Sequence, residues 1–208
     1  MKNDMTDTFN PAEAAAICGI LHNLYFRIPS QEYLNELQQA QVFNNWPIEA
    51  ISDEQLAELQ SALENADYEL VKRDYYDLHI GPGECKAFPY GSVYTDNENL
   101  VCGDTTIALM DFLKANDAQF DLPHKEPQDH VGLIFASGHY LLTERQDVEA
   151  FKALLEQHFL PWGHRVFELA ETHANTDFCR ELAKLTQATL NSWTQELGLS
   201  PEKLHLYR

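Results

Sequence analysis

Ser52-Asp53-Glu54-Gln55-Leu56-Ala57-Glu58-Leu59-Gln60-Ser61-Ala62-Leu63 opens with a capping box: a serine hydroxyl placed to accept from the third helical N–H, and a glutamine that can reach back. Leu56, Leu59 and Leu63 then recur at helical spacing, and the period carries on through Ala66 to Leu70, predicting one amphipathic helix over this stretch. Upstream, Asn10-Pro11-Ala12-Glu13 combines an N-cap, a proline at the first helical position and a glutamate, ahead of a stripe of Ile17, Ile20, Leu21 and Leu24. Ser30 caps a segment carrying Tyr33, Leu34 and Leu37, so three helices are expected before about residue 77.

From Ile80 to Gly103 the helical period stops. Gly81-Pro82-Gly83, Pro89, Gly91 and Gly103 leave no room for a long helix, and Ser92-Val93-Tyr94 is too short to found a sheet. Periodic stretches resume at about 104–116, 127–143, 146–159, 163–173 and 176–197, the last carrying Phe178, Leu182, Leu185, Trp193 and Leu197. The predicted fold is all-α, an irregular globular helical bundle with a long Gly/Pro-rich loop at about 80–103. Without repeats or a flexible linker, residues 1–208 read as a single domain, the loop being the natural place for helical halves to divide.

Composition narrows the function classes. The chain has 208 residues, 44% of them hydrophobic, enough for an ordinary core. Its 33 acidic against 14 basic side chains give a formal net charge of −19, which repels nucleic acid and favours a cationic partner, though acidic surfaces also serve solubility alone. No apolar run reaches the roughly 20 residues of a membrane span, and the first ten residues are polar. Cys18, Cys85, Cys102 and Cys179 lack CxxC spacing, which points to a reducing compartment, the cytoplasm.

Glu126-Pro127-Gln128-Asp129-His130, preceded by His124-Lys125, is the densest polar cluster. Pro127 suggests a helix start whose first turn presents Asp129 and His130. His124, Glu126, Asp129 and His130 crowd one turn without a second ligand pair, so no metal is expected; Cys18 and His22, four residues apart, are read as packed in or near the core. No GxGxxG, P-loop or GxSxG element is present, so no catalytic residue and no cofactor is predicted. Tyr75, Tyr76, Phe88, Tyr90 and Tyr94 cluster around the loop, as core anchors or as an amphipathic binding surface.

Five motifs in order carry a resemblance. Leu78-His79-Ile80-Gly81-Pro82, Pro89-Tyr90-Gly91-Ser92-Val93-Tyr94, Gly103-Asp104-Thr105-Thr106, Glu126-Pro127-Gln128-Asp129-His130 and Leu160-Pro161-Trp162 together resemble the TorD/DmsD family of redox-enzyme maturation chaperones, particularly its dimethyl sulfoxide reductase branch. The family's PWGS element reads Pro89-Tyr90-Gly91-Ser92 here, and residues 1 to about 70 resemble it only in helical pattern. The resemblance implies an all-helical, non-enzymatic cytoplasmic chaperone. Its partners would be the twin-arginine leader of a molybdoenzyme catalytic subunit, that subunit itself and, transiently, the Tat translocase; it would hold the precursor while cofactor is inserted and prevent premature export. A monomer is expected, with a domain-swapped dimer as the alternative.

Such a leader is basic, then apolar, so its receptor needs carboxylates beside an aromatic surface. Asp129 is expected to meet a leader arginine, bidentately, with Glu126 adding field and His130 positioning it; Tyr75, Leu78, His79, Pro89, Tyr90, Gly91 and Tyr94 would hold the apolar segment. Two other readings stand beside this one: an acidic scaffold for the folded client subunit, and a metal- or nucleotide-handling protein centred on Glu126, Asp129 and His130.

Overall fold

Asn10 starts the first helix as its sequence requires, its side-chain oxygen accepting from the N–H groups of Ala12 (3.0 Å) and Glu13 with Pro11 inside the first turn. The computed structural model describes residues 9–81, 85–99, 101–120 and 126–208. Pro82-Gly83 and His124-Lys125, part of the expected loop and polar cluster, lie outside these. The helices are α1 (Pro11–Tyr25), α2 (Gln31–Gln39), α3 (Asp53–Glu64), α4 (Tyr68–His79), α5 (Ser92–Thr95), α6 (Asp104–Ala115), α7 (Val131–Thr143), α8 (Val148–Ala153), α9 (Leu160–His173) and α10 (Asp177–Glu196). The fold is all-α; among the described residues the β pairing is one isolated antiparallel bridge, Tyr90 with His130. No helix among them is long and apolar enough to cross a membrane.

Three boundaries differ from the sequence expectation. The helix predicted from Ser52 to Leu70 is two: Asn65 folds its amide onto the Ser61 carbonyl (2.8 Å), and Asp67 caps α4 by accepting from Glu69 N–H (2.9 Å) and Leu70 N–H. Leu70, counted into the buried stripe, is 55% exposed. The stretches at 146–159 and 163–173 are joined instead of separated. A π-helical segment, Leu154–Phe159, runs from α8 into α9, and Leu160 N–H reaches back five residues to Leu155 C=O. The wide turn comes immediately before Pro161, which has no N–H to offer and whose ring crowds a regular helix. Third, α7 begins at Val131, not at Pro127.

The chain forms two compact units. One takes the residues up to Phe26, Pro89–Gly163 and Trp193–Arg208; the other takes Arg27–Phe88 and His164–Ser192. In the first, α1 packs against α7. The two helices run antiparallel and are clamped at both ends by histidines: His22 Nδ1 donates to the Gly132 carbonyl and His139 Nδ1 to the Ala15 carbonyl, each at 2.8 Å. The approach is close enough that a Cβ on Gly132 would lie 2.6 Å from the backbone of Phe26, so only glycine fits there. In the second unit, the carboxylate of Asp74, 1% exposed, accepts from the backbone N–H groups of Asn175 (3.0 Å) and Thr176 (2.8 Å) and from the Thr176 hydroxyl (2.7 Å). That single side chain ties α4 to the start of α10.

Candidate functional site

The Pro89–Tyr94 and Glu126–His130 motifs are latched together in the first unit. Val131 N–H donates to the Pro89 carbonyl (2.8 Å), Gly91 N–H to the Asp129 carbonyl (3.2 Å) and Ser92 N–H to Asp129 Oδ2 (2.7 Å). These bonds hold residues 127–130 in a turn, which is why Pro127 does not start the helix. His130 becomes the N-cap instead, its Nδ1 accepting from Gly132 N–H at 3.0 Å, so the ring carries its proton on Nε2. Asp129 is 2% exposed, and its Oδ1 has no hydrogen-bond partner among the described residues.

Two more motifs close on the same latch. Tyr94, fully buried, stacks on Trp162 with ring planes 9° apart, and the Trp162 indole N–H donates to the His158 carbonyl (2.8 Å). Gly91 has φ −62° and ψ −41°, a conformation open to any residue, yet an added Cβ would meet the Trp162 ring at 2.6 Å from Cζ2 and 2.8 Å from Nε1. Space, not backbone conformation, demands glycine here. The Thr105 hydroxyl pairs with that of Thr95 (2.8 Å), and Ser92 Oγ accepts from Cys102 N–H (3.1 Å). Tyr207 N–H donates to the Tyr94 carbonyl (2.9 Å), bringing the C-terminal segment onto the motif cluster.

Beside this latch runs a row of rings that passes through the buried His130 and ends in a carboxylate. His22 stacks on Phe26 (centroids 5.2 Å apart), Phe26 meets His130 edge-on (5.4 Å), His130 meets Tyr90 edge-on (5.2 Å), and the Tyr90 hydroxyl donates to Glu126 Oε1 at 2.6 Å. His22, Phe26, Tyr90 and Glu126 are half-buried. His22 also borders a concavity of about 360 Å³ lined by Phe120, His139, Tyr140 and Glu144. A carboxylate, a phenol and an aromatic-walled hollow can together receive a cation followed by an apolar group.

The remaining expected site residues lie in the second unit. Tyr75 and Leu78 are buried on α4, and the Tyr75 ring meets His79 edge-on at 5.0 Å. His79 Nδ1 donates to the Ala87 carbonyl (2.8 Å), and burial pushes its pKa down from 6.5 to about 4, so it is neutral at physiological pH. Tyr75, Leu78, His79 and Tyr94 therefore act as packed side chains in this conformation, while Pro89 and Gly91 contribute backbone to the latch. Sequence reasoning missed Phe26 and read His22 only as packed in or near the core; the one local hint was their i, i+4 spacing at the end of α1. Among the described residues no group of three His, Cys, Asp or Glu side chains is placed to hold a metal.

Comparison with known proteins gives a consistent answer. The model of the family described as nitrate reductase delta subunit matches residues 48–168, more than half the chain. The chain is 30% identical over 198 residues to the Escherichia coli chaperone protein YcdY, covering 92% of this chain and 99% of that one. It is 29% identical over 212 residues to the Salmonella typhi Tat proofreading chaperone DmsD, covering 98% and 100%. A crystal structure of an Archaeoglobus fulgidus protein assigned to the redox enzyme maturation class has the same fold, with a TM-score of 0.55 at 15% identity over 92% of this chain and 99% of that chain. Matched by the family model and by relatives along nearly its whole length, the chain belongs to the nitrate reductase delta subunit family, in the TorD/DmsD group of chaperones.

Proposed function

We propose that the protein is a cytoplasmic chaperone that binds the twin-arginine leader of a molybdoenzyme catalytic subunit, and that the Tyr90–Glu126 row of the first unit receives it. The observation that carries the reading is the half-buried Glu126 carboxylate joined to a continuous row of rings, Tyr90, His130, Phe26 and His22, because a leader is basic and then apolar. Glu126 meets a leader arginine first. Asp129, committed by Oδ2 to Ser92 N–H, sets the position of that turn and offers Oδ1 to a guanidinium that enters more deeply. Pro89, Gly91 and Tyr94 hold the receiving surface in shape from behind. Tyr75, Leu78 and His79 set the shape of the second unit's part of the loop by packing. Retention of the precursor during cofactor insertion, delay of its export and contact with the translocase follow from occupying the leader.

The test is titration of a synthetic twin-arginine leader into wild-type protein, Glu126→Gln and Tyr90→Phe. Glu126→Gln should weaken binding by about tenfold, the cost of a partly exposed charged contact, while Tyr90→Phe, which keeps the ring, should weaken it less. Full affinity in Glu126→Gln would take the leader away from this surface.

A further inference from the structure

The second unit carries a groove of about 970 Å³ that the leader-binding reading does not use. Its lining includes Glu54, Glu58, Asp67, Asp177 and Glu181 against the single ammonium of Lys184. Apolar side chains line it as well: Val71 and Phe178 are buried, Ala66 is half-buried, and Ala57 and Leu70 are exposed. Lys184 is hydrogen-bonded to Glu181 Oε1 at 2.7 Å, while Glu181 Oε2 is buried with no partner among the described residues. Glu54 and Glu58, both exposed, stand one helical turn apart on α3 and form no ion pair among the described residues. Like charges at that spacing repel, and a bound cation would relieve the repulsion. Leu70, 55% exposed, offers an apolar anchor beside them. The groove wall is preorganised, because Asn175 and Thr176, which line it, are held by the buried Asp74 carboxylate.

We propose that this groove is a second docking surface, whose occupant is a basic amphipathic helix of a partner polypeptide. Its arginines or lysines would meet Glu54, Glu58 and Glu181, and its small apolar residues would lie on Leu70, Ala57 and Ala66. Charge complementarity selects the sign of the occupant, and apolar side chains beside the carboxylates select an amphipathic segment over a simple polycation. Stated for the chaperone, the surface would hold a helix of the client other than its leader. The inference stands on the geometry of the second unit and does not require leader binding on the first.

The experiment uses the full chain and an Ala/Leu/Arg amphipathic helix of about 15 residues, labelled for fluorescence anisotropy. Proteins compared are wild type, Glu54→Gln/Glu58→Gln, Leu70→Ser, Glu126→Gln, and Asp111→Asn/Glu98→Gln, which removes the same charge from exposed positions of the first unit. Glu54→Gln/Glu58→Gln should weaken the peptide about tenfold and Leu70→Ser severalfold, with the Asp111/Glu98 pair near wild type. All four sets alter exposed or half-buried side chains, and circular dichroism confirms folding of each. Equal losses in both double variants would mean that only the general field of the acidic chain attracts the peptide, overturning the proposal. Loss confined to Glu126→Gln would place the peptide on the first unit and overturn it likewise. A leader that fails to bind while the groove variants still discriminate would refute the leader reading alone.

Discussion

Adding one methyl group at Gly91 tests the latch most severely. The Gly91 backbone is right-handed helical, so alanine carries no conformational cost there; every consequence must come from contact with Trp162. A Cβ 2.6 Å from Trp162 Cζ2 has to be relieved to ordinary carbon–carbon separation, which moves the ring or the loop by roughly 1 Å. Trp162 is 2% exposed, between Tyr94 on one side and Phe159 on another, and cannot rotate away without disturbing both. Its indole N–H bond to the His158 carbonyl, 2.8 Å long, would stretch beyond hydrogen-bonding range if the ring took the whole shift. Overpacking and a strained buried donor together cost about 2–5 kcal/mol. For a chain of this size that lowers the melting temperature by about 5–15 °C. The assay is thermal unfolding followed by tryptophan fluorescence and far-UV circular dichroism for Gly91→Ala, Trp162→Phe and the double variant. Because the smaller phenyl ring vacates the contested space, Gly91→Ala should cost much less in the Trp162→Phe background. A Gly91→Ala protein that melts within about 1 °C of wild type, or a double variant whose losses simply add, would refute this packing argument.

Other substitutions separate holding from binding. Asp129→Asn removes a charge-assisted bond to Ser92 N–H and should cost about 2 kcal/mol while also lowering leader affinity, whereas Glu126→Gln should lower affinity with an unchanged melting temperature. Equal melting temperatures for the two would deny Asp129 its latching role. Asp74→Asn turns one acceptor into a donor facing backbone N–H groups and should cost about 3 kcal/mol, read by urea unfolding; a loss below about 1 kcal/mol would show that Asn175 and Thr176 find other partners. His79 has a folded pKa of about 4 against an ordinary 6.5, so the unfolded chain binds the proton more readily between those values. Its contribution is complete above pH 6.5 and is lost as pH falls toward 4, about 2 kcal/mol of it between pH 7.5 and 5. Urea unfolding of wild type and His79→Gln at both pH values should show that much less acid sensitivity in the variant; parallel pH profiles would contradict it.

Features written locally in the chain were legible from the sequence. Asn10, Ser30 and Ser52 each cap the helix they were expected to cap, since a cap needs only the next three residues. The all-helical class followed from those caps and the period between them. Leu70 shows the limit of periodicity: it falls in phase with Leu56, Leu59 and Leu63, but Asn65 and Asp67, both able to bond backbone, interrupt the helix without shifting the phase. Pro127 was a sound local start signal overridden from a distance, because Val131 N–H and the Asp129 carboxylate are claimed by residues 89 and 92. The candidate site divides the same way. Glu126, Asp129, Tyr90 and His130 were named from the chain because they sit in dense motifs. Phe26 was not, and His22 was read only as packed in or near the core, since their places in the row arise from α1 meeting α7, with His22 and Gly132 separated by 110 positions. The acidic groove was hidden for a similar reason, its walls coming from α3, α4 and the start of α10.

Calorimetric titration with a twin-arginine leader, beside one in which both arginines are lysine, tests the central claim most directly. Lysine keeps the charge and removes the planar fork that a carboxylate accepts bidentately. The account predicts saturable binding of the arginine leader, weaker binding of the lysine form, and loss of the difference in Glu126→Gln. Failure to bind any molybdoenzyme leader, or equal affinity for the two forms in wild-type protein, would contradict it.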